Sequence, residues 1–237
     1  MSVAGPRLGG GAGIVIPVDG PAGSGKSTAA QKISEHLQWD YLETGALYRA
    51  VGLRVLGAGG NTGDLVEILP HLDDFRFECR KVEEGWRNFL DGWDVTQGLR
   101  EERVSFAASK VSSFSEVRAV LLAYQRSYGI ERGAVLDGRD IGTVVFPDAK
   151  LKFFFDADIE VRIQRRFDEL GRNGISFDPV RLGADLRERD RRDRDREAAP
   201  LRSAEDAVLI DTSDLPIDRV LAVMLGKVRQ VYGEGIH

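Results

Sequence analysis

Sulfur is nearly absent from this chain of 237 residues, which holds one cysteine, Cys79, and two methionines. A lone thiol cannot close an internal disulfide, so the chain suits a reducing, cytoplasmic compartment, and Cys79 reads as a free side chain in the core. Histidine is scarce too. His36, His71 and His237 stand far apart with no ligand spacing, which argues against a histidine-built metal site. Positive charge is not in excess: a formal net charge of −5 argues against a general nucleic-acid or membrane surface. Residues 1–13 are rich in glycine and lack an apolar segment. They read as a flexible arm outside the fold, neither signal peptide nor membrane span. No internal repeat is visible.

The remaining composition is that of a globular chain, with 42% apolar and 30% charged residues. The length suits one α/β domain carrying an insertion, or two small domains. The basic residues are skewed in kind and place. Of 33, 26 are arginine, and 12 of those lie between Arg162 and Arg202. The planar guanidinium fits phosphate oxygens two at a time.

Hydrophobic periodicity gives alternating strands and helices. Ile14–Asp19 is apolar and β-branched and reads as a buried strand, although Pro17 inside it lacks the donor a central strand uses. Helices are expected at 26–37, 45–56 and 64–72. The alternating Phe75–Cys79 and Trp86–Leu90, with the turn Asp91-Gly92, read as a small β-insertion. Helices at 101–111 and 115–128 follow, with Ser115 placed as an N-cap. Strands at 134–137, 151–156 and 207–211 are separated by helices at 159–170 and 179–197, and Pro216 is placed at the first position of a last helix. Such alternation argues for a parallel sheet covered on both faces.

Gly20-Pro21-Ala22-Gly23-Ser24-Gly25-Lys26-Ser27 fits the P-loop pattern and lies between an expected strand and an expected helix. Its glycines let backbone N–H groups approach phosphate oxygens, the helix N-terminus adds partial positive charge, Lys26 reaches the β- and γ-phosphates, and Ser27 holds Mg²⁺. Thr44 can cap the helix that carries Tyr48 and Arg49, with free amides facing an anion; an ordinary capped helix with a surface arginine is the plainer alternative. Asp137-Gly138-Arg139-Asp140 stands at the C-terminal end of a buried strand, where open α/β sheets bind ligands. Asp137 either orients the Mg²⁺ shell or holds the loop. Arg187–Arg196 alternates charges along a helix, as a solvated face does. The exclusive use of arginine beside a P-loop fits phosphoryl transfer equally. A P-loop binding module, or a nucleic-acid protein using the arginine run, is the rival from another class; the alternating aspartates oppose the latter.

Gly20–Thr28, Glu43–Arg49, Ala107–Val111 with Val117-Arg118, Asp137–Asp148 and Arg189–Leu201 resemble, in order, the motifs of bacterial cytidylate kinases. The resemblance runs from Val15 into the C-terminal helix. It implies an α/β, three-layer P-loop fold: a five-stranded parallel sheet flanked by helices, a small β-rich acceptor-binding insertion near 63–103, and a mobile lid near 165–180. Gly171, Asn173 and Gly174 would let that lid move. Residues 14–237 would form one nucleoside monophosphate kinase domain, a monomer taking ATP, Mg²⁺ and CMP or dCMP. By matching position, residues Gly20 to Thr28 and Arg165 would bind ATP. Thr44, Tyr48 and Arg49 would lie in the CMP site, and Ser109, Arg118 and Asp140 would meet cytosine with Arg139 nearby. Arg189 and Asp193 would hold the sugar. Arg192 and Arg196, with Lys26, would serve the transferring phosphate. Glu43 stands where the family usually has aspartate, Leu47 where it has methionine, and Glu101-Glu102 replace a common Thr-Pro.

Overall fold

The computed structural model describes residues 13–131, 133–172, 178–234 and 236. The expected arm, save Gly13, and Asn173 and Gly174 of the expected lid lie outside the described residues.

Strand β1 (Val15–Asp19) is buried at every position, as a strand covered on both faces must be. Helix α1 (Lys26–Leu37) follows and ends where Gln38 turns left-handed. Next come β2 (Asp40–Glu43), where the sequence pattern predicts no strand, and α2 (Thr44–Gly57). The single helix expected over 64–72 is broken into α3 (Leu65–Ile68) and a 3-10 turn at Leu69–His71, because Pro70 has no amide to continue an α-helix.

A small antiparallel sheet comes next, built from β3 (Phe77–Val82), β4 (Gly85–Leu90) and β5 (Trp93–Asp94). The strand expected at 75–79 is displaced, since pairing runs from Phe77↔Leu90 to Val82↔Gly85. The Asp91-Gly92 turn has φ of 52° and 86°, the left-handed pair that a two-residue hairpin turn favours. The chain continues through α4 (Glu102–Val111), α5 (Ser115–Glu131), β6 (Ala134–Gly138), a π-turn at Ile141–Val145, β7 (Phe153–Asp156), α6 (Ile159–Arg172), α7 (Pro179–Asp195), β8 (Val208–Asp211) and α8 (Ile217–Tyr232).

Three capping expectations are corrected. Thr44 is the first residue of α2 rather than its cap, and its hydroxyl donates to the Asp137 carbonyl at 2.8 Å. Ser115 lies inside α5, its hydroxyl donating to Glu116. Pro216 is the N-cap of α8, one place before the first turn. A true cap occurs at α7, where the Asp178 carboxylate accepts from the Val180 and Arg181 amides and Pro179 opens the helix.

The main sheet is parallel, in the order β2-β6-β1-β7-β8, and flanked by helices. Pro17 is accommodated by the register. The Ala134 amide donates to Ile14, so even-numbered β1 residues turn their backbone groups toward β6 and Pro17 faces β7. Pairing with β7 begins only at Val18↔Phe153, so the missing donor falls where no strand waits for it. Ile16, Val18, Ile33, Leu136, Phe153 and Phe155 pack in the core. Each such side chain contributes about 1.5–3 kcal/mol. The P-loop leaves the C-terminal end of β1, and Asp137 to Asp140 leave the same end of its neighbour β6.

Candidate functional site

The loop from Gly20 to Gly25 is shaped by conformations that only glycine adopts easily. Gly20, Gly23 and Gly25 have φ of 150°, 77° and 81°. A Cβ on Gly20 would lie 2.3 Å from the Phe155 carbonyl oxygen, so the loop lies directly against β7. The Pro21 carbonyl accepts from the Ser24 hydroxyl at 3.0 Å and from Lys26 Nζ at 3.2 Å. The Ser24 carbonyl accepts from Thr212 Oγ1 at 2.9 Å. Arg165 donates to the Thr212 hydroxyl and carbonyl at 3.0 and 2.6 Å. Thr28 is exposed one turn along. A cavity of about 970 Å³ opens here, lined by residues Gly23 to Thr28 together with Arg49, Arg165 and Thr212.

Lys26 is buried, and that burial, with the like charge of Arg139, pulls its pKa down to about 7 despite the nearby Asp137. A lysine so placed is short of counter-charge, and a phosphate would supply it. The Ser27 hydroxyl donates to the Asp137 carboxylate, which also accepts from Tyr41 at 3.0 Å. Two hard oxygen donors in contact at the end of a phosphate loop suit Mg²⁺, which prefers few protein ligands and keeps phosphate oxygens and water. Among the described residues no group of three His, Cys, Asp or Glu side chains could hold an ion unaided.

Beside the loop lies a second cluster, in which charged side chains neutralise one another. Asp140 accepts from Arg118 on α5 at 2.5 Å and from Arg196, just beyond α7, at 3.3 Å. The Arg118 guanidinium lies 5.6 Å from the Tyr48 ring centre. Arg139 donates to Asp193 at 2.8 Å, a pairing that raises the Arg139 pKa although burial opposes its charge. Arg189 has no such exclusive partner. It is exposed along α7, with the like charge of Arg139 beside it and the carboxylate of Asp193 pulling the other way. Arg192 donates to the Ser109 hydroxyl at 2.7 Å, linking α7 to α4. Arg49 pairs with Glu43. The expected residues therefore fall into two adjoining groups: the loop with Lys26, Ser27 and Arg165, and the cluster with Thr44, Tyr48, Arg49, Ser109, Arg118, Arg139, Asp140, Arg189, Arg192, Asp193 and Arg196.

Several participants had no sequence signal. Asp19 is buried, accepts from the Ile141 and Gly142 amides at 2.9 and 2.7 Å, and so ties the start of the P-loop to the turn after Asp140. Burial outweighs those two bonds and lifts its pKa to about 7. Its position at the end of β1 was the one available hint. Thr212, Tyr41 and Arg162 act through contacts across 47 residues or more, which no local pattern displays.

A protein-family profile described as cytidylate kinase matches residues 16–230. A cytidylate kinase of Caldicellulosiruptor saccharolyticus is 42% identical over 223 residues, covering 94% of this chain and 99% of that protein. One from Aeromonas salmonicida is 40% identical over 220 residues, covering 93% and 96%. One from Nitrosococcus oceani is 43% identical over 213 residues, covering 89% and 94%. The matched span takes in both the phosphate loop and the arginine–carboxylate cluster.

Proposed function

Because the chain belongs to the cytidylate kinase family, we propose that it transfers the γ-phosphoryl group of ATP to CMP or dCMP, releasing ADP and the diphosphate. The observation that carries this reading is the adjacency of a glycine-built phosphate loop, with a charge-starved Lys26, and the cluster around Asp140, both at the C-terminal edge of β1 and β6. No described helix is long and apolar enough to cross a membrane. The proposed workplace is the cytoplasm and the proposed working unit a monomer.

The nucleophile is an α-phosphate oxygen of CMP. It is already anionic, so no strong general base is required, and catalysis is positioning plus charge neutralisation. The P-loop amides and Lys26 hold the β- and γ-phosphates, and Arg165 lies on the ATP side. Ser27 and Asp137 would hold Mg²⁺, which when bound would offset the negative charge of the phosphates. Arg192 and Arg196 leave Ser109 and Asp140 to meet the transferring group. Arg49 and Tyr48, on the first turns of α2, address the acceptor phosphate and ring, with the buried Thr44 fixing that turn to β6. Arg189 and Asp193 take the sugar. Cytosine presents an amino donor beside N3 and O2 acceptors. Asp140 accepts from the amino group while Ser109, Arg118 and Arg139 serve the acceptors. Uracil carries O4 where cytosine carries the donor, so the same carboxylate repels it. The helices on either side of residues 173–177 would serve as a lid that excludes water.

The test is ADP release measured with CMP, dCMP, UMP and AMP in turn. CMP and dCMP should be phosphorylated, with kcat/KM for UMP and AMP lower by about 100-fold or more. Equal turnover of UMP or AMP would overturn the base assignment.

A further inference from the structure

We propose that Arg162 and Asp190 form a positioning pair that keys the arginine-bearing half of α7 to the P-loop. The inference rests on the phosphoryl-transfer reading for its consequence, though not for its geometry. Arg162, on the first turn of α6, is 3% exposed. Its three donor nitrogens point three ways. Nε donates to the Ala157 carbonyl at 3.0 Å, Nη1 to the Ala22 carbonyl of the P-loop at 3.1 Å, and Nη2 to Asp190 at 2.5 Å. The loop also rests on the backbone of this residue, since a Cβ on Gly23 would lie 3.1 Å from Arg162 Cβ and from its carbonyl oxygen.

Asp190 follows Arg189 and precedes Arg192, Asp193 and Arg196. Helix α7 buries Gly183, Leu186 and Asp190. In its second half, where the arginines are, the anchor is therefore a carboxylate rather than an apolar side chain. That choice is costly, because Asp190 Oδ1 is buried without a hydrogen-bond partner. Buried ion pairs are weak devices for stability, and apolar pairs of similar size usually serve it as well or better. What the ionic pair adds is direction. One guanidinium reads a carbonyl of the phosphate loop and a carboxylate of α7 together, so the position of the loop sets where the α7 arginines stand.

The pair is tested by comparing Arg162→Met, Asp190→Leu and the double variant with the unaltered protein. Melting temperature, kcat, the ATP KM, and backbone hydrogen exchange with and without ADP are measured. Each single variant leaves an unmatched buried group and should melt earlier. The double variant should melt above either single variant, though short of the unaltered protein because the Ala157 and Ala22 carbonyls lose a donor, while kcat stays about 10- to 100-fold low, as expected for misplaced catalytic groups, with little change in the ATP KM. In the unaltered protein ADP should slow exchange in both residues 20–28 and 186–195. In the double variant it should protect only the first. If the double variant does not fold, Asp190→Asn, which keeps shape and the hydrogen bond but not the charge, should show the same split in milder form. Recovery of kcat together with melting temperature, or ADP protection of 186–195 that is absent from the unaltered protein or persists in the double variant, would overturn the pairing role. The exchange measurement needs no acceptor. A protein that ignored CMP but lost α7 protection in the variant would defeat the functional reading and leave this one standing.

Discussion

The P-loop and the cluster around Asp140 lie side by side, yet they prepare for anionic ligands in opposite ways. The loop presents backbone. Its shape is set by three glycines, internal bonds to Pro21, and outside bonds from Arg162 and Thr212 to its carbonyls. Its one cation, Lys26, is buried near another cation, Arg139. The cluster presents side chains, and most of its arginines already have a partner: Arg118 and Arg196 on Asp140, Arg139 on Asp193, Arg49 on Glu43 and Arg192 on Ser109. The loop is built before its ligand arrives, so binding there costs little reorganisation. The cluster must exchange internal partners for ligand atoms, which makes its affinity a difference between two sets of bonds and suits it to discrimination.

Removing the Lys26 charge should break the loop side most severely. Lys26→Met should lower kcat by about 100- to 1,000-fold, the usual loss when a preorganised group is taken from a developing charge. The melting temperature should hold or rise, because a desolvated cation is replaced by an apolar chain. A folded Lys26→Met variant with near-normal turnover would remove the basis for contrasting the two regions.

Asp140 should give a smaller and more selective effect. Asp140→Ala should lower kcat/KM for CMP by roughly 10- to 200-fold, the value of a charged hydrogen bond, with the ATP KM nearly unchanged. Asp140→Asn should narrow the gap between CMP and UMP, since an amide can donate to uracil O4. The structure adds a qualification: both variants strip a partner from Arg118 and Arg196. If the carboxylate only holds the loop, melting temperature would fall in both while discrimination between the bases stayed the same.

The same contrast explains what could be read in advance. The loop is eight contiguous residues whose geometry follows from glycine and a strand–helix context, so sequence alone located it and placed Lys26 and Ser27. The cluster was assigned by resemblance, because its members come from α2, α4, α5, the end of β6 and α7, and their meeting depends on sheet order. The position of Asp137 after an apolar run fits two roles, on the Mg²⁺ shell or on the loop. The structure sets its carboxylate against Ser27 and Tyr41, which an apolar-then-acid pattern cannot display. Strand β2 escapes the pattern because four residues carry too little periodicity, and β3 is displaced because the alternation of Phe75, Phe77 and Cys79 stops at Arg80-Lys81 while the pairing runs on to Val82. Asp19 reads locally as the end of a strand. Its bonds to Ile141 and Gly142 span more than 120 residues.

Asp19 is also the joint between the two regions, and it supports the prediction with the least effect on turnover. Its carboxylate belongs to the residue before Gly20, and its bonds fix the turn after Asp140. Burial, opposed by the two amides, raises its pKa from 3.8 to about 7. Between those values the folded protein keeps a proton that the unfolded chain has lost. Stability from this group is therefore fully present below about pH 4 and lost as pH rises to about 7. Asp19→Asn cannot lose that proton. Its amide accepts from one backbone N–H but confronts the other, so it should be less stable than the unaltered protein near pH 4, and the gap should shrink by pH 7 to 8. Melting temperatures of both proteins across pH 4 to 8 give the comparison directly, because other titrating groups cancel in the difference. A gap that stays constant above about pH 5 would mean that the two amides outweigh burial and that the carboxylate is ionised in the folded protein as in the unfolded chain. Turnover should remain within the same order of magnitude, with the KM values for ATP and CMP shifting together, since a loosened joint displaces both regions relative to each other. A change in the KM for one substrate alone would place Asp19 within a single region and deny it the role of joint.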